Sequence, residues 1–327
     1  MPEYTLIEAI RMALDEALAD NPDTFIIGAD VGLCGGVFRA TLGLQKKYST
    51  DRVIDTPLAE ASIIGVGIGA ALYGMRPICE IQFADFIHPA FNQIINEAAR
   101  MCYRSNGQWN VPLVIRVPYG GGNNGGLYHS QSVEAYFTHA PGLKVVVPSN
   151  PYDARGLLKA AIDDPNPVIF LEPKLGYHTL KGEVPDEPYQ VPIGTASITR
   201  QGSDITILTY GMMHHHVQEA AETVSEEGID AEVVDLRTLY PVDRTTILQS
   251  VRHTNKALIV HEDNQTGGYG AEIAAILADE AFTDLDAPVR RVCAPDVPSV
   301  PFSVPMQEWF MPDADKIAAE IRILAAF

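Results

Sequence analysis

The sequence of 327 residues lacks any regular spacing among its four cysteines, Cys34, Cys79, Cys102 and Cys293. No pair has the C-x-x-C spacing. This argues against a disulfide framework, a structural zinc site and a thioredoxin-type redox pair. We interpret the four side chains as core thiols of a protein in a reducing compartment.

Long apolar runs are also absent, because no segment approaches the roughly 20 residues that a membrane-spanning helix needs. The N-terminal stretch MPEYTLIEAIRMALDEALAD alternates acidic with apolar residues. It lacks the basic start and the small-residue cleavage site of a signal peptide. We therefore expect a cytoplasmic protein that does not associate with a membrane.

Positive charge is scarce: 23 basic residues face 42 acidic ones, and the formal net charge is -19. A nucleic-acid-binding protein needs a basic face for the phosphate backbone, so this class is not expected. The acidic residues are spread along the chain and form no tail, which indicates a well-solvated surface rather than an acidic interaction module.

Strand-like and helix-like segments alternate along the first half of the chain. Thr5 and Glu8 form a capping-box pattern, which predicts a first helix from Thr5 to about Ala19. Nearly continuous apolar runs predict strands at 24–30, 77–83, 112–117, 143–149 and 167–173. Helical periodicity predicts helices at 89–105 and 152–163. Such alternation is typical of an α/β fold with a parallel sheet that is covered on both faces.

The second half repeats this alternation after a break in the pattern. Residues 174–195 lose periodicity and gain proline, glycine and charge, as a connection between domains does. Strands are then predicted at 204–211, 230–237, 257–263 and 288–295, and helices at about 215–227, 243–252, 270–281 and 313–326. We expect a first domain over 1–180, a linker over 181–195 and a second α/β domain over 196–327.

The segment DTPLAEASIIGVGIGAALYG (55–74) contains the pattern G-x-G-x-x-A, a dinucleotide-binding fingerprint. That fingerprint requires a strand that ends at the first glycine and a helix that opens after it. Here Thr56 can cap a helix whose first residue is Pro57, so Gly65 lies about two turns inside it. A tightly packed helix is therefore favoured over a nucleotide-binding loop.

Glu60 is the one acid in the first turns of this predicted helix, ahead of a run of small and apolar residues. Apolar surroundings disfavour a charged carboxylate, whereas a helix N-terminus favours one. A carboxylate balanced in this way can share a hydrogen with a heterocyclic nitrogen. The residue pattern leaves open the alternative of an ordinary glutamate that interacts only with the helix dipole.

Several motifs in fixed order carry a family resemblance over essentially the whole chain. They are FIIGADVG, GGVFRAT, DTPLAEASIIGVGIGAA, EIQFADFIHPAFNQIINEAAR, RSNGQ, YHSQSVEAYFTHAPGLKVVVPS, PYDARGLLKAAIDDPNPVIFLEPK, DLRTLYPVD and VHEDNQTGGYGAEIAA. The chain resembles beta subunits of the thiamine-diphosphate-dependent decarboxylating component of 2-oxo acid dehydrogenase complexes, and most closely those of the branched-chain (2-oxoisovalerate) type.

The resemblance implies a pyrimidine-binding domain followed by a transketolase C-terminal-like domain. It also implies an α2β2 heterotetramer in which thiamine diphosphate lies between subunits. The alpha subunit of that family holds the diphosphate and Mg²⁺ with a GDG motif followed by NN. This chain contains no GDG. The resemblance thus implies half an active site, which is inactive without its partner.

Site residues follow from the same resemblance, position by position. Glu60 matches the catalytic glutamate that hydrogen-bonds the pyrimidine ring. His129 matches the histidine that assists reductive acylation of the lipoyl group, and Ser130 and Gln131 would orient its loop. Residues that match the lining of the pyrimidine pocket are Leu58, Gln82 and Phe86.

Two further patterns concern ions. Residues that match a potassium site of related beta subunits are Leu113, Ala161, Ile162, Asp164 and Asn166, although DDPN can also be a simple helix-ending turn. His214, His215 and His216 are consecutive, and consecutive helical side chains point about 100° apart. We therefore interpret this run as the start of a surface helix rather than as a metal site.

The activity implied is oxidative decarboxylation of branched-chain 2-oxo acids, with transfer of the acyl unit to a lipoylated dihydrolipoyl acyltransferase core. A pyruvate or acetoin dehydrogenase beta subunit is the alternative within the family. Outside it, the alternatives are a nicotinamide dehydrogenase that uses the glycine run and a regulatory subunit without chemistry. One departure from the family pattern is Ala29, where a glutamate is usual.

Overall fold

A computed structural model describes residues 2–327, which fall into two compact units. The first unit contains residues 2–119 and 136–193, and the second contains 120–135 and 194–327. The expected domain limits remain a prediction, but the structure adds that the loop 120–135 packs with the second unit.

The first unit is built on parallel strands. Its strands are β1 (Glu3–Thr5), β2 (Thr24–Ala29), β3 (Val53–Thr56), β4 (Arg76–Glu80), β5 (Val114–Tyr119), β6 (Lys144–Val146), β7 (Val168–Pro173) and β8 (Lys181–Glu183). Six of them lie in the order β6–β7–β5–β4–β2–β3, and each of these pairings is parallel. This arrangement confirms the predicted α/β class.

Helices connect these strands. They are α1 (Leu6–Asp20), α2 (Leu44–Tyr48), α3 (Glu60–Leu72), α4 (Ala99–Arg104), α5 (Glu134–Thr138) and α6 (Pro151–Asp163), with a π-helix at Gln93–Ala98. The predicted capping box at the start of α1 is present, because the Thr5 hydroxyl accepts from the Glu8 N–H and the Glu8 carboxylate accepts from the Thr5 N–H.

Part of the segment interpreted as a linker belongs to the first unit. Strand β8 pairs antiparallel with β1, with Glu3 opposite Glu183 and Thr5 opposite Lys181. Local periodicity could not reveal this pairing because the two strands are only three residues long and far apart in sequence.

The second unit has its own mostly parallel sheet. Its strands are β9 (Ser197–Arg200), β10 (Ile205–Thr209), β11 (Ala231–Asp235), β12 (Thr238–Tyr240), β13 (Ala257–Asn264) and β14 (Arg290–Ala294). Five lie in the order β14–β13–β10–β11–β9, and only β9 runs antiparallel to its neighbour. Its helices are α7 (Met213–Ser225), α8 (Arg244–Thr254), α9 (Gly270–Glu280), α10 (Val304–Phe310) and α11 (Ala314–Ala325).

Helix α3 begins later than the sequence predicts. Its first residue is Glu60, Ala59 is the N-cap, and no side chain caps it. The expected cap at Thr56 is wrong, because Thr56 pairs with Ala29 as the last residue of β3. Gly65 still lies inside the helix, well past the end of β3, so the strand-to-glycine junction of a dinucleotide fingerprint is absent here.

The glycines of α3 have different surroundings. A Cβ at Gly67 would lie 2.6 Å from Cys79 Sγ and 3.1 Å from Leu113 Cδ1, so this face of the helix packs directly on the sheet. A Cβ at Gly65 or Gly69 would meet nothing within 4 Å among the described residues. Close packing within this chain therefore explains Gly67 but neither of the other two.

The histidine run is only partly at the surface. Helix α7 begins at Met213, close to the predicted start, but His214 is buried, and its Nε2 lies 2.9 Å from Thr199 Oγ1. The prediction of a surface helix start is therefore wrong for His214, since the helix turns this one ring inward. Burial lowers its pKa to about 4, with a smaller effect from His215.

Gly67→Ala is expected to destabilise the isolated chain by about 1–3 kcal/mol, because its methyl group would overlap Cys79. Gly65→Ala serves as the control and is expected to be neutral or stabilising by up to about 1 kcal/mol through helix propensity. Urea unfolding followed by circular dichroism measures both. Equal effects of the two substitutions would contradict the packing described for α3.

Candidate active site

The predicted pyrimidine-site residues of the first unit follow strands that end at the same edge of the sheet. In the register of the sheet, Ala29 lies opposite Thr56 and Gly28 opposite Glu80. Strands β3, β2 and β4 therefore finish at the same carboxyl edge, where ligands bind in open parallel sheets. Leu58 and Glu60 follow β3, and Gln82 and Phe86 follow β4.

Glu60 is less enclosed than its apolar sequence context indicates. Its side chain is only partly buried, and Leu58 two residues earlier is 72% exposed. The physical reason is the late start of α3: Glu60 is the first helical residue, so no earlier helical turn covers it. This part of the edge is open in the single chain.

Gln82 is held beside the end of β2. Its Nε2 donates to the Ala29 carbonyl oxygen at 3.2 Å and to Asp30 Oδ2 at 3.3 Å. The Ala29 carbonyl group thus holds the Gln82 side chain at the end of β2. Asp30 adopts a left-handed conformation with φ of 59°, so the chain turns sharply as it leaves the strand.

Phe86 belongs to an aromatic cluster. It lies in a single 3-10 turn, Ala84–Phe86, and its ring meets that of Phe83 edge to face at 5.8 Å. Phe83 in turn meets Phe38 at 5.2 Å. Phe86 itself is only partly buried, so one side of an otherwise packed aromatic group remains accessible.

His129 lies in the second unit, whereas Leu58, Glu60, Gln82 and Phe86 lie in the first. It follows a 3-10 turn, Gly126–Tyr128, and is partly exposed. The loop is closed at its base, because the Gly120 N–H donates to the Gln131 carbonyl at 3.0 Å. Within it, Ser130 Oγ donates to Asn123 Oδ1 at 3.4 Å and Gln131 Nε2 to the Leu127 carbonyl at 3.3 Å.

Four residues of the predicted potassium site, Ala161, Ile162, Asp164 and Asn166, lie between the end of α6 and the start of β7, and the fifth, Leu113, precedes β5 and bonds the first residue of β7. The Asp164 N–H donates to the Ala161 carbonyl at 3.3 Å, and the Val168 N–H donates to the Leu113 carbonyl at 2.9 Å. Asn166 Oδ1 is buried and has no hydrogen-bond partner among the described residues, so it is available to a cation.

Two protein cations already act at this position. Lys144 Nζ lies 2.7 and 2.6 Å from the two carboxylate oxygens of Asp164, and Arg76 Nη1 donates to the Ile162 carbonyl at 2.8 Å. The Asp164 charge is therefore already balanced. A potassium ion would depend on Asn166 Oδ1 and on second lone pairs of the backbone carbonyls.

A buried ionic network lies behind the carboxyl edge of the first unit, and the sequence analysis missed it. Arg116 is fully buried. Its Nε and Nη2 donate to the two carboxylate oxygens of Glu172 at 2.8 and 2.9 Å, and its Nη1 donates to Glu80 Oε2 at 2.5 Å. Tyr177 donates to Glu172 as well. An arginine inside the apolar run PLVIRV was the available signal, since a buried charge requires partners.

Three acids cluster in the second unit around the base of the His129 loop. Glu262 is nearly buried and accepts the Gly121 N–H at 2.8 Å. Tyr210 donates to Glu134 Oε1 at 2.9 Å. Burial, reinforced by the nearby charges of Asp263 and Glu262, raises the pKa of Glu134 well above its ordinary value. Burial likewise raises the pKa of Asp263 to about 6.

The sequence carried only a weak signal for this cluster. Glu262 and Asp263 end the apolar strand ALIVHED, and acids in a buried segment are unusual unless they are paired. Their meeting with Glu134 depends on long-range packing, which no local pattern shows.

Comparison with known proteins agrees with this geometry. Residues 3–179 match the family "Transketolase, pyrimidine binding domain", and residues 194–317 match "Transketolase, C-terminal domain". The 2-oxoisovalerate dehydrogenase subunit beta of Bacillus subtilis (strain 168) is 52% identical over 327 residues, which is all of both chains. The chain belongs to the family of 2-oxo acid dehydrogenase beta subunits. The resemblance inferred from the motifs is thereby confirmed.

Other members of this family are also similar. The 2-oxoisovalerate dehydrogenase subunit beta 2 of Arabidopsis thaliana is 48% identical, over 97% of this chain and 88% of that one. The pyruvate dehydrogenase E1 component subunit beta of Acholeplasma laidlawii is 46% identical over 99% of both chains. A solved structure titled as a split-gene transketolase, inactive beta4 tetramer, has a TM-score of 0.78 and 26% identity, covering 98% of each chain.

Within residues 2–327, no helix is long and apolar enough to cross a membrane. The same residues contain no group of three or more His, Cys, Asp and Glu side chains that could hold a metal ion.

The raised pKa of Glu134 predicts a pH-dependent effect of Glu134→Gln on stability. Above about pH 4.5 the unfolded chain ionises Glu134 while the folded chain keeps the proton, so the wild type loses up to about 1.4 kcal/mol per pH unit from this group. Glutamine has no proton to lose. The stability of the variant relative to wild type should therefore increase as the pH rises above the ordinary pKa of a glutamate.

Urea unfolding at several pH values measures this difference. Glu272→Gln is the matched control, because Glu272 is an exposed acid in the same unit, and the pH-dependent gain should be larger for Glu134→Gln than for this control. A difference for Glu134→Gln that does not change with pH would contradict a protonated Glu134.

Proposed function

We propose that this chain is the beta subunit of a branched-chain 2-oxo acid dehydrogenase, with 2-oxoisovalerate as its characteristic substrate. The observation that carries the proposal is Glu60 at the first position of α3, at a carboxyl edge shared with Gln82 and Phe86, in a chain with full-length likeness to 2-oxoisovalerate dehydrogenase beta subunits. Pyruvate is the alternative substrate, since pyruvate dehydrogenase beta subunits are 46% and 44% identical.

The residues at this edge suit the aminopyrimidine of thiamine diphosphate. Glu60 offers a carboxylate for a ring nitrogen, Phe86 offers an accessible aromatic face, and Leu58 offers an exposed apolar side chain. When bound, thiamine diphosphate supplies a carbon nucleophile and an electron sink for loss of carbon dioxide. The task of Glu60 is to hold or release a proton at the pyrimidine nitrogen.

His129 is proposed to act in acyl transfer. Its position in a glycine-rich loop, next to exposed Leu127 and Tyr128, suits contact with a large protein substrate such as a lipoylated domain. An imidazole can deliver a proton to a leaving thiolate near neutral pH. Ser130 and Gln131 act within the loop through the hydrogen bonds described above.

An alpha subunit is proposed to complete the site. Glu60 is only partly buried and Leu58 is open, so the edge lacks a cover in the single chain. The chain has no GDG motif for the diphosphate and Mg²⁺, so the alpha chain is the proposed holder of both. The structural relative titled an inactive beta4 tetramer shows that a chain of this fold can assemble without activity. We propose an α2β2 heterotetramer that delivers acyl groups to a lipoylated acyltransferase core.

A potassium ion is proposed near the end of α6. Asn166 Oδ1 provides a buried oxygen with no hydrogen-bond partner in residues 2–327, and backbone carbonyls of Leu113, Ala161 and Ile162 supply further hard ligands. Asp164 would stabilise this site without binding the ion directly, because Lys144 already forms an ion pair with its carboxylate.

The assembled enzyme tests the function. This chain, assembled with its alpha chain, should oxidise 2-oxoisovalerate faster than pyruvate or acetoin. Glu60→Gln should lower decarboxylation by about a hundredfold, within the range that general acid–base catalysis contributes, because the amide cannot exchange the proton. Release of carbon dioxide with each substrate is the measurement.

Asp51→Asn is the matched control, since it also changes a carboxylate to an amide but at an exposed position of the same unit. It should keep the wild-type rate. Turnover of pyruvate about ten times faster than 2-oxoisovalerate, a difference of roughly 1.4 kcal/mol, would overturn the substrate assignment. Full activity of Glu60→Gln would overturn the role of Glu60.

A further inference from the structure

The loop that carries His129 is attached to the second unit by specific contacts at its base. The Gly121 N–H donates to Glu262 Oε2 at 2.8 Å. Gly120, with φ of +93°, approaches the same carboxylate so closely that a Cβ would lie 2.8 and 2.9 Å from its two oxygens. Glu262 is 6% exposed, so water competes little for this hydrogen bond.

Side chains elsewhere in the second unit also contact the loop. The Asn124 N–H donates to Gln307 Oε1 at 2.8 Å. A Cβ on Gly121 would lie 2.6 Å from Met311 Sδ, and one on Gly126 would overlap the ring of Phe302. Among these contacts, the one with Glu262 involves a carboxylate, and it lies at the start of the loop, directly after β5.

Contacts within the loop connect its base, Gly120 and Gly121, to the backbone of His129. Gly120 pairs with Gln131 across the base, two residues beyond His129. A Cβ on Gly125 would lie 2.8 Å from both the Cβ and the carbonyl oxygen of His129. The loop therefore packs on itself, and displacement of residues 120–121 moves the backbone that carries the imidazole.

Burial shifts the pKa values of two titratable groups near Glu262, Glu134 and His261. Burial raises the pKa of Glu134 well above its ordinary value, and Tyr210 donates to Glu134 Oε1 at 2.9 Å. Burial also lowers the pKa of His261, one residue before Glu262, to about 4, with a further effect of Arg291. Both shifts favour the neutral form of the group, so burial limits the charge next to Glu262.

We propose that Glu262 is a positioning residue for acyl transfer: its carboxylate fixes the base of the 120–131 loop and so places His129. The proposal rests on the proposed function for its kinetic consequence but not for its structural one. It predicts that loss of the Glu262 carboxylate slows acyl transfer but not decarboxylation. Decarboxylation depends on the edge near Glu60, whereas transfer to a lipoyl group depends on His129.

The experiment compares two partial reactions of the assembled α2β2 enzyme. Decarboxylation is followed with 2-oxoisovalerate and an artificial electron acceptor, and reductive acylation is followed with a separate lipoyl domain. Glu262→Ala should lower acylation by about tenfold or more, as misplacement of a catalytic group does, and leave decarboxylation within about twofold. Glu262→Gln should restore most of the acylation rate, since its amide oxygen can accept the Gly121 N–H.

A second readout needs no activity. In the full chain, chymotrypsin should cleave at Leu127 and Tyr128, which are 50% and 65% exposed, several times faster in Glu262→Ala than in wild type. Glu262→Gln and the exposed control Glu272→Ala should cleave at the wild-type rate. If Glu262→Ala fails to fold, Glu262→Asp replaces it, because it keeps the charge but lacks one methylene of reach.

The outcomes separate cleanly. Equal loss of both partial reactions, or no change in either, would overturn the proposal, as would unchanged cleavage of the loop. If the assembled wild-type enzyme shows no decarboxylation with any 2-oxo acid, the proposed function fails. Faster cleavage in Glu262→Ala with rescue by Glu262→Gln would then still support the structural role of Glu262.

Discussion

The parallel register of β3, β2 and β4 is the constraint on which the candidate site depends. Ala29 opposite Thr56 and Gly28 opposite Glu80 make the three strands end together, so that residues far apart in sequence meet at one edge. Hydrogen bonding between Gln82 and the Ala29 carbonyl ties the segment after β4 to the end of β2. A slip of one residue in either pairing would turn every side chain to the opposite face and separate Glu60 from Gln82.

A buried arginine and its two glutamate partners favour this register of β4, β5 and β7 over others. Arg116 on β5 bonds Glu172 on β7 and Glu80 on β4, so one guanidinium links three adjacent strands. Burial raises the pKa of Glu80, although Arg116 opposes this effect. Removing one member would leave an unpaired buried charge, which is far more costly than the surface ion pairs found elsewhere in the chain.

Much of this could be predicted from sequence because it is local. The capping box of α1, the apolar strands of both sheets and the helical setting of Gly65 each follow from short-range pattern. The start of α3 could not, since Thr56 has both a capping hydroxyl and a place in β3, and pairing with Ala29 decides between them. Glu60 was found through its motif, but its partial exposure depends on this later helix start.

What sequence could not show depends on contacts over long separations. Glu134 and Glu262 are 128 positions apart by number, and Gly121 and Glu262 are joined across 141. The same holds for Lys144, which neutralises the aspartate of the proposed potassium site. Local periodicity reports which residues are buried, but it does not report which buried charges meet.

The central claim is that this chain contributes only the pyrimidine half of a shared site. Isothermal titration of thiamine diphosphate with Mg²⁺, first into this chain alone and then into its mixture with the alpha chain, tests that claim most directly. Few contacts and no diphosphate ligands should leave binding by the chain alone weaker than about 1 mM, whereas the mixture should bind at micromolar concentration. Equally tight binding by the isolated chain would contradict it.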